Sequence, residues 1–380
     1  MNILQVVPEL NAGGVERTTI EIAQALTKKG HTAHVACEGG RMEDELEKAG
    51  GILHRLKLAS KNPLSLRRNT KALIKLIREH KIELVHARSR APAWAAKAAA
   101  DAVGIPFITT YHGIYNAKTG LKRRYNAIMA KGEVVIANSN FTKNHIIQEH
   151  GTDPDKIVVI PRGVEMKVFD PVKVKRADRE TMLKAWAVSG KRPVVLLPGR
   201  LTRWKGQLVA LDAIANLKDN GIESDLVLLG DAQGREDYIT ELETKIDTLE
   251  LSDHVRIASH TKDMPAAYAA ADIVISASTD PEAFGRVSAE AQAMEKLVVA
   301  SNHGGSTETV INGETGFLVT PGDGEALANG IASVFAISAR ERKQMGKKAR
   351  TRIGREFSAA TLQKATLKVY EKALNDRRDK

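Results

Sequence analysis

The chain has 380 residues, of which 43% are hydrophobic, and a formal net charge of +11. This length is too great for one ordinary hydrophobic core and suits two domains. The single cysteine, Cys37, excludes an intrachain disulfide and favours a reducing compartment. The positive charge is either solvated or matched by an anionic partner, and it does not choose among nucleic acid, an anionic membrane surface and a phosphorylated substrate.

Strand-like runs alternate with helical runs along the chain, a pattern typical of parallel sheets covered by helices on both faces. The strands predicted in the first half are Ile3–Val7, Ala33–Ala36, Leu84–His86, Phe107–Thr110, Val134–Ala137 and Ile157–Ile160. Those predicted in the second half are Val194–Pro198, Leu226–Leu229, Val255–Ala258, Ile273–Ser276, Leu297–Ala300 and Phe317–Val319.

The two halves meet near PRGVEMKVFDP (161–171), where proline and glycine interrupt regular structure. We therefore predict an α/β fold with two doubly wound, Rossmann-like domains, residues 1–165 and 166–358, and a final amphipathic segment at 359–374. Ligands of such sheets bind beyond the carboxyl ends of the strands. We expect the domains to face each other across a cleft lined by the loops that follow the strands.

Gly13 and Gly14 follow the first predicted strand and open a helix. Glycine lets the backbone approach a ligand closely, and the start of a helix offers free N–H donors. A tight turn without a ligand explains the pair equally well, because glycine-rich turns are common. The absence of G-x-G-x-x-G at this point weakens a dinucleotide-dependent oxidoreductase as an interpretation.

Arg200 and Lys205 flank a short loop after the strand 194–198. Arginine makes planar two-point contacts and lysine acts as a point charge, so the two suit a diphosphate near a helix start. The alternative is a solvated basic surface, which is the usual setting of these residue types.

Glu282 and Glu290 are separated by seven residues in STDPEAFGRVSAEAQAM, after the apolar run ADIVISAS. We predict that Phe284 and Gly285 form the strand-to-helix turn, with Glu282 in the loop and Glu290 more than one turn inside the helix. Even on one continuous helix the α-carbons would lie about 12 Å apart along the axis. The two catalytic carboxyl groups of a glycoside hydrolase lie roughly 5–5.5 or 6.5–9.5 Å apart. The spacing of Glu282 and Glu290 therefore fits two contacts to a long ligand better than it fits a hydrolase pair.

Five signals occur in order along the chain: NAGGVE, YHG, GRLTRWKG, the spaced glutamates and HGGSTETVINGETGFLV. In this combination the sequence resembles, over nearly its whole length, the retaining nucleotide-sugar glycosyltransferases of family 4, which have the GT-B fold. The last of these signals is most similar to that of bacterial lipopolysaccharide-core and envelope-glycan members. Members of this family commonly return their final helix to the first domain, so the resemblance implies that residues 359–380 pack there.

The resemblance implies a role for each of these positions. Gly13 and Gly14 would contact the diphosphate or the sugar of the donor, and Arg200 and Lys205, which match G-R-x(4)-K-G, would stabilise the charge that develops on the departing nucleotide. Glu290 would bind the ribose. Glu282 would contact the hydroxyl groups of the transferred sugar. The backbone of Ala283, Phe284 and Gly285 would contact the sugar and the phosphate.

His112, in ITTYHGIY, ends the strand 107–110. A lone histidine there is more often a polar loop residue than a catalyst. The resemblance implies a place near the donor sugar and the reacting centre. Retention in such enzymes is usually discussed as front-face displacement, in which the leaving phosphate helps to deprotonate the acceptor and no side-chain nucleophile is required.

The implied reaction moves a hexose, preferably mannose or glucose, from a nucleoside diphosphate sugar to a glycan or glycolipid acceptor, such as a lipopolysaccharide core. We expect no metal and no cofactor beyond the donor. Asp153-Pro154-Asp155 spells D-x-D but lies in a turn, where these residues are ordinary. The family often has Asn at the position of Arg162 and Asp at that of Glu165, and this departure leaves a role in acceptor recognition open for Arg162.

Two basic amphipathic stretches, Leu64–Lys81 and Leu121–Lys131, lie in the first half. They are either solvated surface helices or docking surfaces for anionic lipid headgroups or a phosphorylated glycolipid. MNILQVVPEL lacks the features of a signal peptide, and no run approaches the roughly 20 apolar residues of a spanning helix. We expect a cytoplasmic protein, peripheral at the inner face of the membrane.

Other functions remain open at this level. Another GT-B activity on a sugar nucleotide, that of an epimerase or a phosphorylase, is one alternative. A basic nucleic-acid-binding protein is another, although its basic stretches would be expected to carry interleaved aromatic residues, and here they contain almost none besides Tyr125.

Overall fold

The computed structural model describes residues 1–11, 13–115, 117 and 119–378, which form two compact units. Unit 1 comprises Met1–Gly163 and the C-terminal segment that begins at Ala359, and unit 2 comprises Val164–Ser358. Ala12 of the NAGGVE motif and residues 379–380 of the predicted terminal segment lie outside the described residues.

Thirteen strands are present in the described part of the chain, all in parallel ladders. Those of unit 1 are β1 Asn2–Val6, β2 Thr32–Cys37, β3 Ile52–Arg55, β4 Leu84–Ala87, β5 Phe107–Tyr111, β6 Val134–Ala137 and β7 Ile157–Val159. Those of unit 2 are β8 Val194–Pro198, β9 Asp225–Leu229, β10 Val255–Ala258, β11 Ile273–Ser276, β12 Val298–Ser301 and β13 Gly316–Val319.

Helices connect these strands. Unit 1 contains α1 Gly14–Lys28, α2 Glu43–Lys48, α3 Pro63–Glu79, α4 Arg90–Val103, α5 Gly120–Asn126, α6 Asn140–His150 and, at the C-terminus, α15 Ala359–Arg378. Unit 2 contains α7 Arg176–Ala185, α8 Gln207–Asp219, α9 Glu236–Thr248, α10 Met264–Ala270, α11 Arg286–Ala293, α12 Ser306–Thr309, α13 Gly324–Ala336 and α14 Ala339–Glu356. None of the described helices combines the length and the hydropathy needed to cross a bilayer.

The strand order of unit 1 is β3-β2-β1-β4-β5-β6-β7, and that of unit 2 is β10-β9-β8-β11-β12-β13. Both sheets are doubly wound, so the predicted α/β class is confirmed. In each sheet the order reverses at one place, between β1 and β4 in unit 1 and between β8 and β11 in unit 2. Crevices at such switch points, beyond the carboxyl ends of the strands, are where open α/β sheets bind ligands.

Apolar side chains fill both faces of each sheet. In unit 1 one layer joins β1 and β2 to α1 and α15, and the other joins β1, β4 and β5 to α3 and α4. Helix α15 is tied to the rest of unit 1 by buried Tyr370, whose hydroxyl lies 2.6 Å from Nδ1 of His86 on β4. Gln363 adds a hydrogen bond to the Glu21 carbonyl of α1.

Candidate active site

The loops after β8 and β11 approach each other closely at the switch point of unit 2. Gly206, which precedes α8, has a φ of 77°, and a Cβ built on it would lie 1.8 Å from the carbonyl oxygen of Ala277 after β11. Only glycine combines this left-handed conformation with so close a backbone approach. Thr279 extends the contact by donating its N–H to the Trp204 carbonyl over 2.8 Å.

This approach brings Lys205 and Glu282 together. Nζ of Lys205 donates to Oε1 of Glu282 over 2.7 Å, and the Ser278 hydroxyl donates to the same oxygen over 2.6 Å. The two charged side chains are only 13% and 11% exposed, so they form a buried ion pair. His303 completes the cluster because its Nε2 lies 2.8 Å from the Ser278 carbonyl.

The cluster keeps Glu282 ionised. Burial raises the pKa of Glu282, but the charge of Lys205 and the hydrogen bonds from Lys205 and Ser278 lower it by more, so the pKa lies below its ordinary value. An ionised carboxylate accepts hydrogen bonds and is a poor general acid. Glu282 is therefore suited to holding hydroxyl groups of a ligand.

A second loop, His303–Gly305 after β12, supports the Glu282 loop from behind. A Cβ on Gly304 would lie 2.5 Å from the Glu282 carbonyl oxygen, and one on Gly305 would lie 2.4 Å from the α-carbon of Phe284. The Gly305 N–H also donates to the Glu282 carbonyl over 2.7 Å. These contacts give a structural reason for the HGG part of the C-terminal motif.

Helix α11 begins at Arg286, and the residue before it, Gly285, has a φ of 82°. The Phe284 side chain is 4% exposed and packs against Phe357, so only the backbone of this turn is available to a ligand. The amide groups at the start of α11 favour an anion.

Glu290 lies on α11 and does not contact Glu282. It is 7% exposed, accepts a hydrogen bond from the Tyr268 hydroxyl over 3.0 Å, and accepts a second from Nε of Arg286 over 2.7 Å. Burial, together with the Glu290 charge, raises the pKa of Tyr268 well above its ordinary value, so this phenol donates. Both carboxylate oxygens are oriented, as a two-point hydroxyl ligand would require.

Arg200 lies at the surface beyond β8. Its side chain makes no hydrogen bond or ion pair with other described residues, whereas its carbonyl accepts from Nε2 of Gln207 over 3.0 Å. The guanidinium is thus available to an anion. Its neighbour Lys205 is already paired.

A cavity of about 550 Å³ opens beside this loop in unit 2. Its lining combines polar, charged and aromatic residues, namely Thr202, Arg203, Trp204, Gly234, Arg235, Asp237 and Tyr238. Nζ of Lys205 lies 4.5 Å from the Trp204 ring, so the cavity adjoins the Lys205–Glu282 pair.

The remaining sequence-predicted residues lie in unit 1. Gly13 is the N-cap of α1 and has a φ of 136°, and Gly14 is the first residue of the helix. His112 follows β5 and is 9% exposed. Its carbonyl accepts hydrogen bonds from Nδ2 of Asn138 and a guanidinium nitrogen of Arg162, each over 3.1 Å.

The His112 ring is neutral. Burial lowers its pKa well below the ordinary value, and the charges of Arg162 and Arg88 lower it further. Neither ring nitrogen has a hydrogen-bond partner among the described residues. Buried polar atoms without partners are uncommon, and here they leave the imidazole available to a ligand.

Sequence reasoning did not assign Ser278, His303, Tyr268 or Arg88 to a site. Ser278 and His303 stand in segments that carried the resemblance, so their position after a strand could have indicated them. Tyr268 and Arg88 carry no local signal, because only the folded chain brings them to their partners. Among the described residues, no group of three or more His, Cys, Asp or Glu is arranged to hold a metal ion.

Comparisons with known proteins identify the family of the chain. Residues 12–168 match the family model described as Glycosyltransferase Family 4, and residues 178–352 match that described as Glycosyl transferases group 1. A glycosyltransferase structure from Rickettsia africae ESF-5 is 39% identical, covers 98% of each chain and has a TM-score of 0.91. The chain belongs to the glycosyltransferases of family 4.

Two further similarities concern function. The Anabaena protein HepE, solved in complex with UDP, is 26% identical to this glycosyltransferase over 98% of this chain and 100% of its own, with a TM-score of 0.85. A D-inositol 3-phosphate glycosyltransferase of Xylanimonas cellulosilytica is 29% identical over 312 residues, 78% of this chain and 73% of that protein. Such structural neighbours identify the fold as GT-B.

Proposed function

We propose that this glycosyltransferase moves a hexose, mannose or glucose, from a nucleoside diphosphate sugar to a lipid-linked or lipopolysaccharide-core glycan, with retention and without a metal ion. The observation that carries the proposal is the buried Lys205–Glu282 pair at the switch point of unit 2, held by Ser278. It places a cation and an ionised carboxylate where an open parallel sheet binds its ligand.

The donor is assigned to unit 2. The exposed guanidinium of Arg200 and the ammonium of Lys205 are placed at the diphosphate, where they stabilise the negative charge that forms as the nucleotide leaves. The backbone of Phe284 and Gly285 adds N–H donors at the start of α11. Glu290, whose two oxygens are oriented by Tyr268 and Arg286, is assigned to the ribose hydroxyls.

The transferred sugar is assigned to Glu282 of unit 2. For His112 and the Gly13–Gly14 turn of unit 1 we keep the donor contacts that the resemblance to the family implies. The low pKa of Glu282 makes it a hydrogen-bond acceptor for sugar hydroxyls and a poor proton donor. A front-face displacement needs no side-chain acid, because the leaving phosphate itself takes the acceptor proton. Positioning and charge stabilisation then supply the rate enhancement.

The relatives support the donor class. HepE has been solved with UDP and with UDP-glucose, and these ligands are the basis for proposing a nucleoside diphosphate hexose here. The Xylanimonas relative is named for a phosphorylated polyol acceptor. An acceptor that carries phosphate is consistent with the net charge of +11.

The lipid-linked acceptor is supported by a surface of unit 1 that we call the basic tip, made by the starts of α3 and α5. Leu64 and Leu121 are 79% and 83% exposed, which is unusual for leucine. Nζ of Lys61, which precedes α3, lies 5.3 Å from the ring of Tyr125 near the end of α5, so α5 lies beside the start of α3. Two exposed leucines within a basic surface suit the interface of an anionic leaflet.

A screen of UDP-, GDP- and ADP-sugars tests the proposal. We expect one donor to raise the melting temperature by mass action and to be hydrolysed slowly in the absence of acceptor. Addition of a chelator should leave both effects intact. Failure of every nucleotide sugar to stabilise the protein would refute the donor assignment, and loss of hydrolysis that magnesium restores would refute the metal-free mechanism.

A further inference from the structure

The cavity lined by the loops after β8 and β9 of unit 2 holds a buried hydroxyl group without a partner. Thr202 lines this cavity and is only 6% exposed, and its Oγ1 has no hydrogen-bond partner among the described residues. It precedes the short turn Arg203–Lys205, but its side chain does not cap that turn. Because buried polar atoms without partners are uncommon, a hydroxyl in this state at a cavity indicates a polar ligand.

The size of the cavity suits a small molecule. Its volume of about 550 Å³ lies within the range of roughly 300–1,000 Å³ that is usual for small-molecule sites. On the loop after β9, Gly234 has a φ of 79°, and a Cβ built on it would meet no atom within 4 Å. Thr202 on one loop and Gly234 on the other therefore border a space that the described residues do not fill.

Trp204 gives the cavity an apolar surface. Its side chain is half-buried, and its backbone is fixed because its carbonyl accepts the N–H of Thr279 over 2.8 Å. Nζ of Lys205 lies over the indole, 4.5 Å from the ring centre. An ammonium group covers one face of an indole, which leaves the opposite face and the ring edge for the cavity that Trp204 lines. Tyr238, which is 4% exposed, closes the cavity on the side of the core.

The charges around the cavity cancel. Arg203 is paired with Glu241, and its guanidinium lies 5.3 Å from the centre of the Tyr238 ring. The other charged lining residues are Arg235 and Asp237, one of each sign. A cleft concentrates ions when one sign of charge dominates its lining. Since neither sign dominates here, the lining fits a neutral polar ligand better than a phosphate.

A pyranose sugar has this combination of properties. Its C–H groups form an apolar face that packs against the electron-rich face of an aromatic ring such as that of Trp204. Its hydroxyl groups lie around the rim, and each one both donates and accepts hydrogen bonds. They match the Thr202 hydroxyl, the Asp237 carboxylate and the Arg235 guanidinium in the lining.

We propose that this cavity of unit 2 binds a hexopyranose residue of a glycan, apart from the sugar that is transferred. Trp204 packs against the sugar ring, and Thr202 forms a hydrogen bond with one of its hydroxyl groups. The donor also carries a hexose, so two sources share this chemistry. The glycan is the source because the transferred sugar is assigned to Glu282, which is not among the residues that line the cavity.

The test uses the full chain labelled with 5-fluorotryptophan, which gives one fluorine NMR signal for each of the three tryptophans. The Trp204 signal is identified by its loss in Trp204→Phe. Titration with the methyl glycosides of glucose and mannose follows the three signals. We expect at least one of the two sugars to shift the Trp204 signal saturably and to leave the signals of Trp94 and Trp186 in place. A Trp204 signal that responds to neither sugar overturns the proposal.

Thr202→Val removes the unpartnered hydroxyl and keeps the branched shape of the side chain. Its affinity for the sugar should be about tenfold lower than that of wild type, the usual effect of losing one neutral hydrogen bond. The matched control is Thr248→Val, which removes an exposed hydroxyl at the end of α9 and should bind the sugar as wild type does. Equal affinity in Thr202→Val and wild type overturns the proposal. If Thr202→Val does not fold, Asp237→Asn, at an exposed position, replaces it in the same comparison.

Repeating the titration with a saturating nucleotide sugar, the one that stabilises the protein, decides the source of the hexose. Undiminished binding of the methyl glycoside supports a separate glycan site, whereas competition assigns the cavity to the donor and overturns the proposal. Failure of the proposed function has a different signature, because then no nucleotide sugar binds. The donor is in that case excluded as the source, and the comparison of Thr202→Val with wild type decides on the cavity.

Discussion

At the scale of single residues, the Lys205–Glu282 pair decides both local stability and the charge available to a ligand. Each partner is nearly buried, and the Glu282 carboxylate has only Lys205 as its ion-pair partner among the described residues. Removing one member of a buried pair typically costs about 3–5 kcal/mol, because the other charge is left uncompensated. A surface pair such as Lys348–Glu314, with side chains 60% and 50% exposed, contributes far less.

We therefore expect Lys205→Ala to lower the free energy of unfolding and to reduce kcat about 10²- to 10³-fold, as loss of a charge-stabilising group does. The pKa of Glu282 should rise because burial then acts without its counter-charge. Urea unfolding and steady-state kinetics provide the measurements, with Lys348→Ala as the surface-pair control. Wild-type turnover in Lys205→Ala would remove this lysine from the mechanism.

We expect His34 to make the stability of unit 1 depend on pH. It is 3% exposed, and its Nδ1 lies 2.9 Å from Nε2 of His54. Burial, followed by the charges of His54 and His80, lowers its pKa to about 4. In the unfolded chain a histidine titrates near pH 6.5, so the unfolded state binds the proton first as the pH falls.

The stabilisation by neutral His34 should thus be complete above about pH 6.5 and should be lost progressively between about pH 6.5 and pH 4. Urea unfolding at several pH values measures this loss. Replacing His34 by Gln should make the dependence shallower, whereas His260→Gln, at an exposed site in unit 2, should leave it unchanged. An identical pH dependence in His34→Gln and wild type would contradict the assignment.

At the scale of elements, the sequence was sufficient to predict most strands of the two sheets. All twelve predicted strands are present, with ends shifted by one residue at most, because fully buried parallel strands are continuous apolar runs such as VVLLP and IVIS. The strand that was not predicted, β3 Ile52–Arg55, lies at the edge of its sheet, and its sequence ILHR has only two apolar residues, neither of them buried. Half-exposed edge strands lack the continuous apolar signal.

The candidate site was less predictable. The turn before α11 could be predicted, because a proline, a glycine and an alanine-rich run mark it in the local sequence. The ion-pair partner of Glu282 could not be predicted from the sequence, because Lys205 lies 77 positions away. Arg88 was missed for the same reason: its position beside Gln5 and His112 depends on the strand order β1-β4-β5.

Gly206 provides a test at the element scale, because it controls how closely the β8 and β11 loops approach. Gly221 is its matched control, with a similar φ of 74° and no atom within 4 Å of a built Cβ, against 1.8 Å to the Ala277 carbonyl at Gly206. We expect Gly221→Ala to cost about 1 kcal/mol for the left-handed conformation. Gly206→Ala should cost several times more and weaken nucleotide binding. Equal losses in urea unfolding would show that the loop approach is not constrained.

At the scale of the whole molecule, the net charge of +11 acts as a long-range field as well as at the site. We expect the protein to sediment with anionic vesicles at low salt and to detach at high salt, since exposed charges are screened within a Debye length of about 10 Å at 0.1 M. The double variant Leu64→Ser/Leu121→Ser should bind less at both salt concentrations. Val172→Ser, which removes a 90% exposed residue of unit 2, is the control. Absence of sedimentation at either salt concentration would exclude the basic tip as a docking surface.

The central claim is that the switch-point loops of unit 2 bind the nucleoside diphosphate part of the donor. Calorimetric titration of UDP, GDP and ADP into wild type and Glu290→Gln tests it most directly, with Glu314→Gln as an exposed glutamate control. We expect one nucleotide to bind wild type and the control equally, and to bind Glu290→Gln at least about tenfold more weakly, because the amide loses one acceptor for the ribose hydroxyls. Equal affinity in all three proteins, or no binding in wild type, would contradict the account.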